Sequence, residues 1–569
     1  MGINIKNKLS THLSAVLSVS ADKLLSLIEI PPDPLFGDFA VPCFSFARDT
    51  ENPPAHIASE FELLFSKKSQ NSEIIQDVRA QGPYLNLFLN KGYIVREITR
   101  DIVRSQFETL HEYGKGRIVV IDYSSPNIAK PFGVGHLRST VIGSSLKKIF
   151  TFLGYKVIGV NHLGDWGTQF GKLITAFKRW GDESELKSDT IKYLYNLYVK
   201  FHSEAAKDTA LEDEARMWFN RLENKDPEAM ILWERFKDHS LAEFKKIYER
   251  LGVEFEHYTG ESFYSSMLDA AIEKAKACGI TDESEGALIV PLNEDMPPAL
   301  LKKSDDSTLY FTRDIAAALY RHRTFNFDIA LYVVGSPQAL HFKQLFKVIK
   351  AMGISWYKNC HHVPFGQVRF EDRSMSTRQG NVVFLEEVLD KAVKLALGII
   401  QEKNPALQNK EDIAEAVGVG SIIFNDLKNN RIKNITFKWD EILNFSGETG
   451  PYLQYTYARS NSLLKKFKEK YGEVEFKKDL PWGDEGYSVC LLINDFEDTV
   501  MRASKEFEPS IISRYLLDIA SQFNSFYNSH RVITDDSSLS LARALIVKGV
   551  NKVLKQGLTL LGINPVNEM

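Results

Sequence analysis

Residues 123–140 read YSSPNIAKPFGVGHLRST, and this stretch decides the fold. A β-type run, RIVVIDY (Arg117 to Tyr123), feeds it, and an amphipathic helical run follows to about Phe152. A second β-type run, KVIGV (Lys156 to Val160), comes next. Strand, glycine-bearing turn, helix and strand form one βαβ unit, the element that opens a nucleotide-binding doubly wound sheet. Gly133 and Gly135 let backbone approach a phosphate closely, and the new helix aims its first N–H groups at that anion. His136 sits at the mouth of the helix, where a donor meets charge developing on a phosphate. The dinucleotide fingerprint G-x-G-x-x-G fails, because Arg138 stands where the third glycine belongs. A P-loop fails too, since no G-x-x-x-x-G-K-[ST] occurs anywhere in the chain.

Bulk composition sets the frame around this unit. A chain of 569 residues suggests roughly three to four domains, and 44% hydrophobic with 25% charged content is that of an ordinary globular protein. No run of 18 apolar residues exists, so no membrane span is expected. The N-terminus loosely mimics a signal peptide, yet Ile5, Leu9, Leu13, Val16 and Leu17 fall at helical spacing, which predicts an amphipathic helix. Lys6 occupies the position at which N-myristoylation wants Ser or Thr. Cys43, Cys278, Cys360 and Cys490 are far apart, which suits a reducing cytosol. Cys360-His361-His362 lacks a second ligand pair at zinc spacing, so no protein-bound metal is expected.

A net charge of −4 does not exclude a nucleic-acid partner, since phosphate recognition needs only a local basic face. Local excess occurs at Lys428, Arg431 and Lys433, and again at Lys465, Lys466, Lys468 and Lys470. Such runs taken alone are ordinarily solvated helix faces.

Along the chain, residues 1–112 read as a small α+β unit, with extended runs such as GPYLNLFLN (Gly82 to Asn90) and a turn-rich PPDPLFGDFAVPCF (Pro31 to Phe44). The multidomain α/β plan continues with a Rossmann-like parallel sheet over 113–385, interrupted by a charged helical insertion at about 180–280. Strand-like segments return with GALIVPL (Gly286 to Leu292), STLYFT (Ser307 to Thr312) and DIALYVVGS (Asp328 to Ser336). From about Leu385 the pattern is helical to the end, divided into a connecting region (386–450) and an all-α C-terminal domain (451–569). No Gly/Ser linker occurs, so the domains are expected to pack on one another.

Three further segments carry candidate chemistry. VRFEDRSMSTRQGN (Val368 to Asn381) is a loop that can wrap a triphosphate, with Arg378 giving charge-assisted hydrogen bonds and Ser376 and Thr377 neutral ones. SDDSTLYFTRDIAAALYR (Ser304 to Arg321) puts Tyr310 at the end of a strand and Asp314 at the start of a helix, where taken alone it reads first as an N-cap. In NHLGDWGTQFG (Asn161 to Gly171), His162, Asp165 and Trp166 either line a pocket or form a tight turn over a buried tryptophan.

SSPNIAKPF…GHLRST resembles the "HIGH" element of class I aminoacyl-tRNA synthetases as arginyl-tRNA synthetases write it, and MSTRQGNVVFLEEVLD resembles their "KMSKS" loop. The likeness continues through Glu415–Leu464 and Glu508–Tyr527, so it covers nearly the whole chain. It implies ATP-dependent activation of L-arginine and transfer to the 3′ end of tRNA(Arg), with ATP entering as its magnesium complex. Candidate catalytic residues are His136, Lys130 and Arg378. ATP contacts are expected from Gly133, Gly135, His136, Gly335, Phe365, Gly366, Met375, Ser376 and Arg378. The arginine side chain falls to Glu261, Tyr310, Asp314 and Gln338, and its polar backbone groups to Asn127, Ser125 and His162. A guanidinium is planar with five donors and no acceptor, so carboxylates in fork-matching geometry suit it. The resemblance further gives a C-terminal anticodon-binding domain with Tyr527 and Met569 as base contacts, an N-terminal domain on the tRNA elbow, and a cytoplasmic monomer.

The chain departs from the family pattern at three places. Gly133 stands where the first motif usually begins with histidine, and Ser374 and Thr377 replace both lysines of the second. Lys130 and Arg378 are left as the motif cations for the phosphates. Two rival readings remain at this level: a class I enzyme for another cationic substrate, and a non-catalytic RNA-binding paralogue.

Overall fold

The structure is a computed structural model and describes residues 5–50, 52–68, 72–105, 107–185, 190–292, 296–305, 307, 310–370 and 383–569. The N-terminal helix Ile5–Leu17 buries Ile5, Leu9, Leu13, Val16 and Leu17, the stripe its spacing predicts. Next comes an antiparallel sheet of β1 (Phe39–Pro42), β2 (Ile75–Gln81) and β3 (Tyr84–Leu89), in the order β1-β3-β2. The β2–β3 hairpin turns at Gly82, whose φ of +56° a side chain rarely adopts.

The central sheet is parallel, with β4 (Ile118–Asp122) between β5 (Lys156–Val160) and β9 (Ile329–Tyr332), and β10 (Cys360–His362) outside β9. Alternation along β4 explains why both faces are covered. Val119 and Ile121 join the core beneath helix Val134–Phe152, and Val120 joins the core of helices Tyr310–Phe325 and Ala339–Ala351. The chain steps from β4 outward to β5, then returns to the opposite side of β4 as β9. The strand order therefore reverses at the β4/β9 boundary, and ligands of such sheets bind outside the carboxyl ends of the strands at that switch point.

Between β5 and β9 lie helices Thr168–Trp180, Thr190–Ala205, Ala210–Glu223, Pro227–Leu251 and Leu268–Ala277. A small antiparallel sheet follows: β6 (Asp282–Ser284), β7 (Ala287–Val290) and β8 (Ala299–Lys302). Two expectations change here. GALIVPL does form a strand, β7, but in this separate sheet rather than the parallel one. Tyr310 does not end a strand; it starts helix Tyr310–Phe325. Phe311, Thr312, Ile315, Ala316 and Ala318 are buried at helical spacing, and that longer period overrides the local β-branched and aromatic signal.

Beyond Phe384 helices dominate, from Leu385–Lys403 and Lys410–Leu427 to Gly450–Tyr471, Phe496–Glu506, Ser510–Ser529 and Ser537–Leu560. The region is not wholly helical. β12 (Ile435–Phe437) pairs in parallel with β11 (Val368–Phe370), the strand that leads into the second motif.

Candidate active site

Backbone geometry builds the candidate phosphate-facing turn. After β4, Ser124, Ser125 and Ala129 take φ of +71°, +48° and +58°, so the loop doubles back before the helix starts at Val134. Gly133 is the N-cap of that helix and provides no side-chain cap. Gly135 is exposed, so the first turn meets solvent at the carboxyl edge of the sheet. His136 follows, half-buried against the Phe132 ring, with Nδ1 enclosed and without a hydrogen-bond partner among the described residues. Burial, and to a lesser degree the nearby Lys130 cation, push its pKa down to about 4. The imidazole is therefore neutral near pH 7, able to donate a hydrogen bond without carrying charge. Lys130 lies over the Tyr198 ring at 5.5 Å, which ties the insertion to the turn.

The second motif is brought to the first by its flanks. On one side, Gly133 bridges Phe384, Val134 N donates to Val383 O, and Leu385 N donates to Phe132 O. On the other, Phe365 bridges Gly335, and Ser336 donates to Phe365 O from both N and Oγ. Gly335 and Phe365-Gly366 thus stand just beyond β9 and β10, beside the turn after β4. Met375, Ser376 and Arg378, with Ser374 and Thr377, lie outside the described residues.

Arg138 is the fastener that sequence reading missed. It is 1% exposed, donates through Nη1 to Gly366 O and Lys433 O at 2.8 Å each, and pairs through Nε with Asp426 at 3.0 Å. Gly366 has no room for a side chain, as a Cβ would lie 2.5 Å from Lys433 O. The one available signal was a guanidinium flanked by Leu137, Ser139, Thr140 and Val141; its partner lies 288 residues away.

The candidate amino-acid pocket forms between the ends of β4 and β5 and helix Tyr310–Phe325. Asn127 pairs with Gly164, where any Cβ would strike the Asn127 amide oxygen at 2.3 Å. Ser125 Oγ donates to Asp122 Oδ1 at 3.0 Å, and Asp122 forms a buried pair with Arg321 at 2.8 Å. His162 lies 3.4 Å from the same Arg321 and is held below its ordinary pKa, chiefly by burial. Asp165 is fully buried, accepts from Ser262 N and Oγ, and pairs with Lys237 at 3.0 Å. That fixes the turn bearing Glu261. Trp166 packs edge-on to Trp233, so the segment forms a tight turn over aromatic core.

Four carboxylates share this region. Burial pushes Glu261 up to about 8; the Arg313 cation opposes the rise, and Asp165 and Asp314 add to it. Asp314 is no N-cap: it sits in the second turn of its helix and meets His341 Nε2 at 2.6 Å. Tyr310 is 58% exposed at the helix start, near Gly167, and Gln338 is exposed at the end of the short 3-10 turn Ser336–Gln338. Asp122, Arg321, His341 and Arg313 were not singled out from sequence, since each works through a distant partner.

On the C-terminal helices, Tyr527 is 36% exposed and Tyr455 38%, with Arg459 over both rings at 5.2 and 4.8 Å. Met569 packs partly buried against the core. The first basic run is not a solvated face throughout. Arg431 binds Pro364 O and Phe507 O and faces Glu508, and Lys428 donates to Glu448 O. Lys465, Lys468 and Lys470 pair at the surface with Glu568, Glu473 and Asp535. Among the described residues there is no metal-holding cluster of three His, Cys, Asp or Glu, and no helix is long and apolar enough to cross a membrane.

Comparison with known proteins agrees over the whole chain. Residues 4–89 match the arginyl-tRNA synthetase N-terminal domain, 99–439 the catalytic domain of class I (R) tRNA synthetases, and 453–569 the DALR anticodon-binding domain. The arginine–tRNA ligase of Halothermothrix orenii is 48% identical over 570 residues, and that of Clostridium acetobutylicum 47% over 571, each alignment covering 100% of both chains. Among solved structures, Thermus thermophilus arginyl-tRNA synthetase superposes with a TM-score of 0.79 at 25% identity, covering 99% of this chain and 100% of that one. The Plasmodium falciparum enzyme shares the fold, with a TM-score of 0.76 at 24% identity and 100% of both chains covered. On a full-length match at this identity, with all three domain families in order, the chain belongs to the arginyl-tRNA synthetases, class I ligases of arginine and tRNA.

Proposed function

We propose that this protein activates L-arginine with magnesium ATP and transfers it to the 3′ end of tRNA(Arg). One observation carries the reading: at the switch point of the sheet, a helix-start turn fit for phosphates stands beside a pocket of carboxylates fit for a guanidinium. A carboxylate oxygen of arginine attacks the α-phosphorus of ATP, the bond to the bridging oxygen breaks, and diphosphate leaves with that electron pair. A ribose hydroxyl of the terminal nucleotide then attacks the activated carbonyl and releases AMP.

In this reading the helix N–H groups at Gly133 and Gly135, neutral His136 and cationic Lys130 stabilise charge on the phosphates, which is positioning and electrostatics rather than covalent catalysis. Gly335, Phe365 and Gly366 hold the adenosine end, and Met375, Ser376 and Arg378 also bind ATP. Asn127, Ser125 and His162 orient the α-amino and carboxylate groups, while Glu261, Tyr310, Asp314 and Gln338 take the guanidinium. Tyr527 and Met569 meet anticodon bases, with the Tyr455–Arg459–Tyr527 cluster a stacking surface for them. The N-terminal domain (1–112) meets the tRNA elbow, and an open cleft of about 320 Å³ there, with Phe36, Gln81, Tyr84 and Asn86 in its wall, suits an unpaired base. The insertion at 180–280 and the connecting region at 386–450 flank the acceptor end. The working form is a cytoplasmic monomer.

Arginine-dependent exchange of labelled diphosphate into ATP, with and without tRNA(Arg), tests the proposal. Exchange with arginine and none with lysine is expected. Exchange driven by another cationic amino acid would reassign the substrate, and no exchange under either condition would leave an RNA-binding paralogue.

A further inference from the structure

Arg313 stands one residue before Asp314 and reaches into the pocket read above as the receptor of the substrate's side chain. Its Nη1 lies 3.4 Å from Glu261 Oε2, and its guanidinium carbon lies 5.6 Å from the centre of the Tyr310 ring. Both side chains are enclosed, Arg313 at 10% exposure and Glu261 at 13%. A carboxylate and an aromatic face are the two groups a planar cation seeks. The fit is nevertheless loose. At 3.4 Å the contact is longer than a well-made charged hydrogen bond, and Arg313 Nε is buried without a hydrogen-bond partner among the described residues. Shape complementarity does not hold this guanidinium.

We propose that Arg313 is a displaceable occupant of the guanidinium subsite: it covers Glu261 and Tyr310 in the empty enzyme, and substrate arginine takes both contacts from it. The inference rests on the reading that Glu261 and Tyr310 receive the substrate's side chain.

The electrostatics give a reason for such an occupant. Glu261 shares its surroundings with Asp165, held by Lys237, and Asp314, held by His341. A buried carboxylate among other carboxylates gives up its charge unless a cation stands by. Arg313 is the cation that favours the charged form of Glu261 in the empty pocket. Two guanidinium groups on one carboxylate would repel, so the site favours exchange over sharing. The displaced cation also has another carboxylate within its field, Glu223 at the end of helix Ala210–Glu223, whose raised pKa Arg313 pulls down.

Calorimetric binding of L-arginine, and separately of methylguanidinium, to the full chain tests this. Arg313→Met keeps the stem and removes the charge. At pH 9 it should bind both ligands about tenfold tighter than the parent, the size of one charged hydrogen bond no longer broken on entry. At pH 7 the gain should shrink, because the Glu261 carboxyl, already raised to about 8 beside Arg313, holds its proton still more tightly once that cation is gone. Arg313→Lys, the milder change should the first variant not fold, should bind about threefold tighter, since an ammonium lacks the fork and competes less well. ATP binding by each variant reports that the fold is intact. Equal or weaker arginine binding by the folded variants at pH 9 overturns the proposal and makes Arg313 a fixed partner of the substrate. Glu261→Gln separates the two layers. If it loses arginine affinity while Arg313→Met gains none, only the displacement is wrong; if it keeps full affinity, the pocket reading falls and the inference with it.

Discussion

Single residues decide what the pocket and the turn can do. Asp314→Asn keeps the shape and the contact to His341 but removes the charge, so the KM for arginine should rise at least about tenfold, or 1.4 kcal/mol. ATP affinity should hardly move. Steady-state titration of both substrates checks this, and an unchanged KM for arginine would strip Asp314 of its role. His136 gives a prediction in pH. With its pKa depressed to about 4 it stays neutral from pH 5.5 to 8, so kcat over that window should carry no limb from this residue. A limb near pH 6.5 that vanishes in His136→Asn would contradict that. The turn residues were legible from sequence because Asn127, Lys130, Gly133 and His136 lie within ten positions of one chain segment. His341 was not, because it meets Asp314 across 27 residues and between two helices, a pairing that no local pattern encodes. Nor was Arg138 with Asp426, for the same reason.

At the scale of elements, β4, β5, β9 and the helix after β4 could be read directly, since short apolar runs bounded by turns are local facts; β10 was not read as a strand. Segments whose partners lie elsewhere could not. β12 is three residues among helices, and it exists because β11 offers it a ladder. Tyr310 was read as strand-terminal because two aromatics beside Thr312 favour β structure, yet the buried positions after it repeat with helical period. The buried Arg138–Asp426 pair joins helix Val134–Phe152, helix Lys410–Leu427 and the approach to β11 in one contact. Asp426→Asn leaves a guanidinium with no counter-charge at 1% exposure and should lower unfolding stability by about 3–5 kcal/mol. The double change to Arg138→Met with Asp426→Leu should recover part of that, leaving two carbonyls without a donor. Urea unfolding of the full chain measures both, and a loss under about 1 kcal/mol for Asp426→Asn would show that the pair is dispensable.

Across the whole molecule, one continuous core runs from Ile5 to Ile563 and joins all three units. Ser145 on helix Val134–Phe152 donates to Leu560 O, and Phe150 meets Phe507. A chain ending at Asn444 should therefore lose more than its RNA-facing surface, for it would expose the outer face of helix Val134–Phe152. It should be aggregation-prone and lack a sharp thermal transition, as followed by circular dichroism and light scattering. A soluble fragment that melts cooperatively would show that the sheet stands alone. The first and last units also touch. Tyr487 donates to Asp38, Lys552 donates to Ile102 O, and Gly549 admits the Ile102 side chain at close range. Helix Lys91–Arg104 hides Ile94, Val95, Ile98 and Ile102, partly beneath helices Tyr487–Asn494 and Ser537–Leu560. On the ribosome, then, a helix made within the first fifth of translation waits with its oily side uncovered until the final stretch leaves the exit tunnel. Synthesis at about 5–20 residues per second makes that wait last for tens of seconds, long enough for a nascent-chain chaperone to be its first cover.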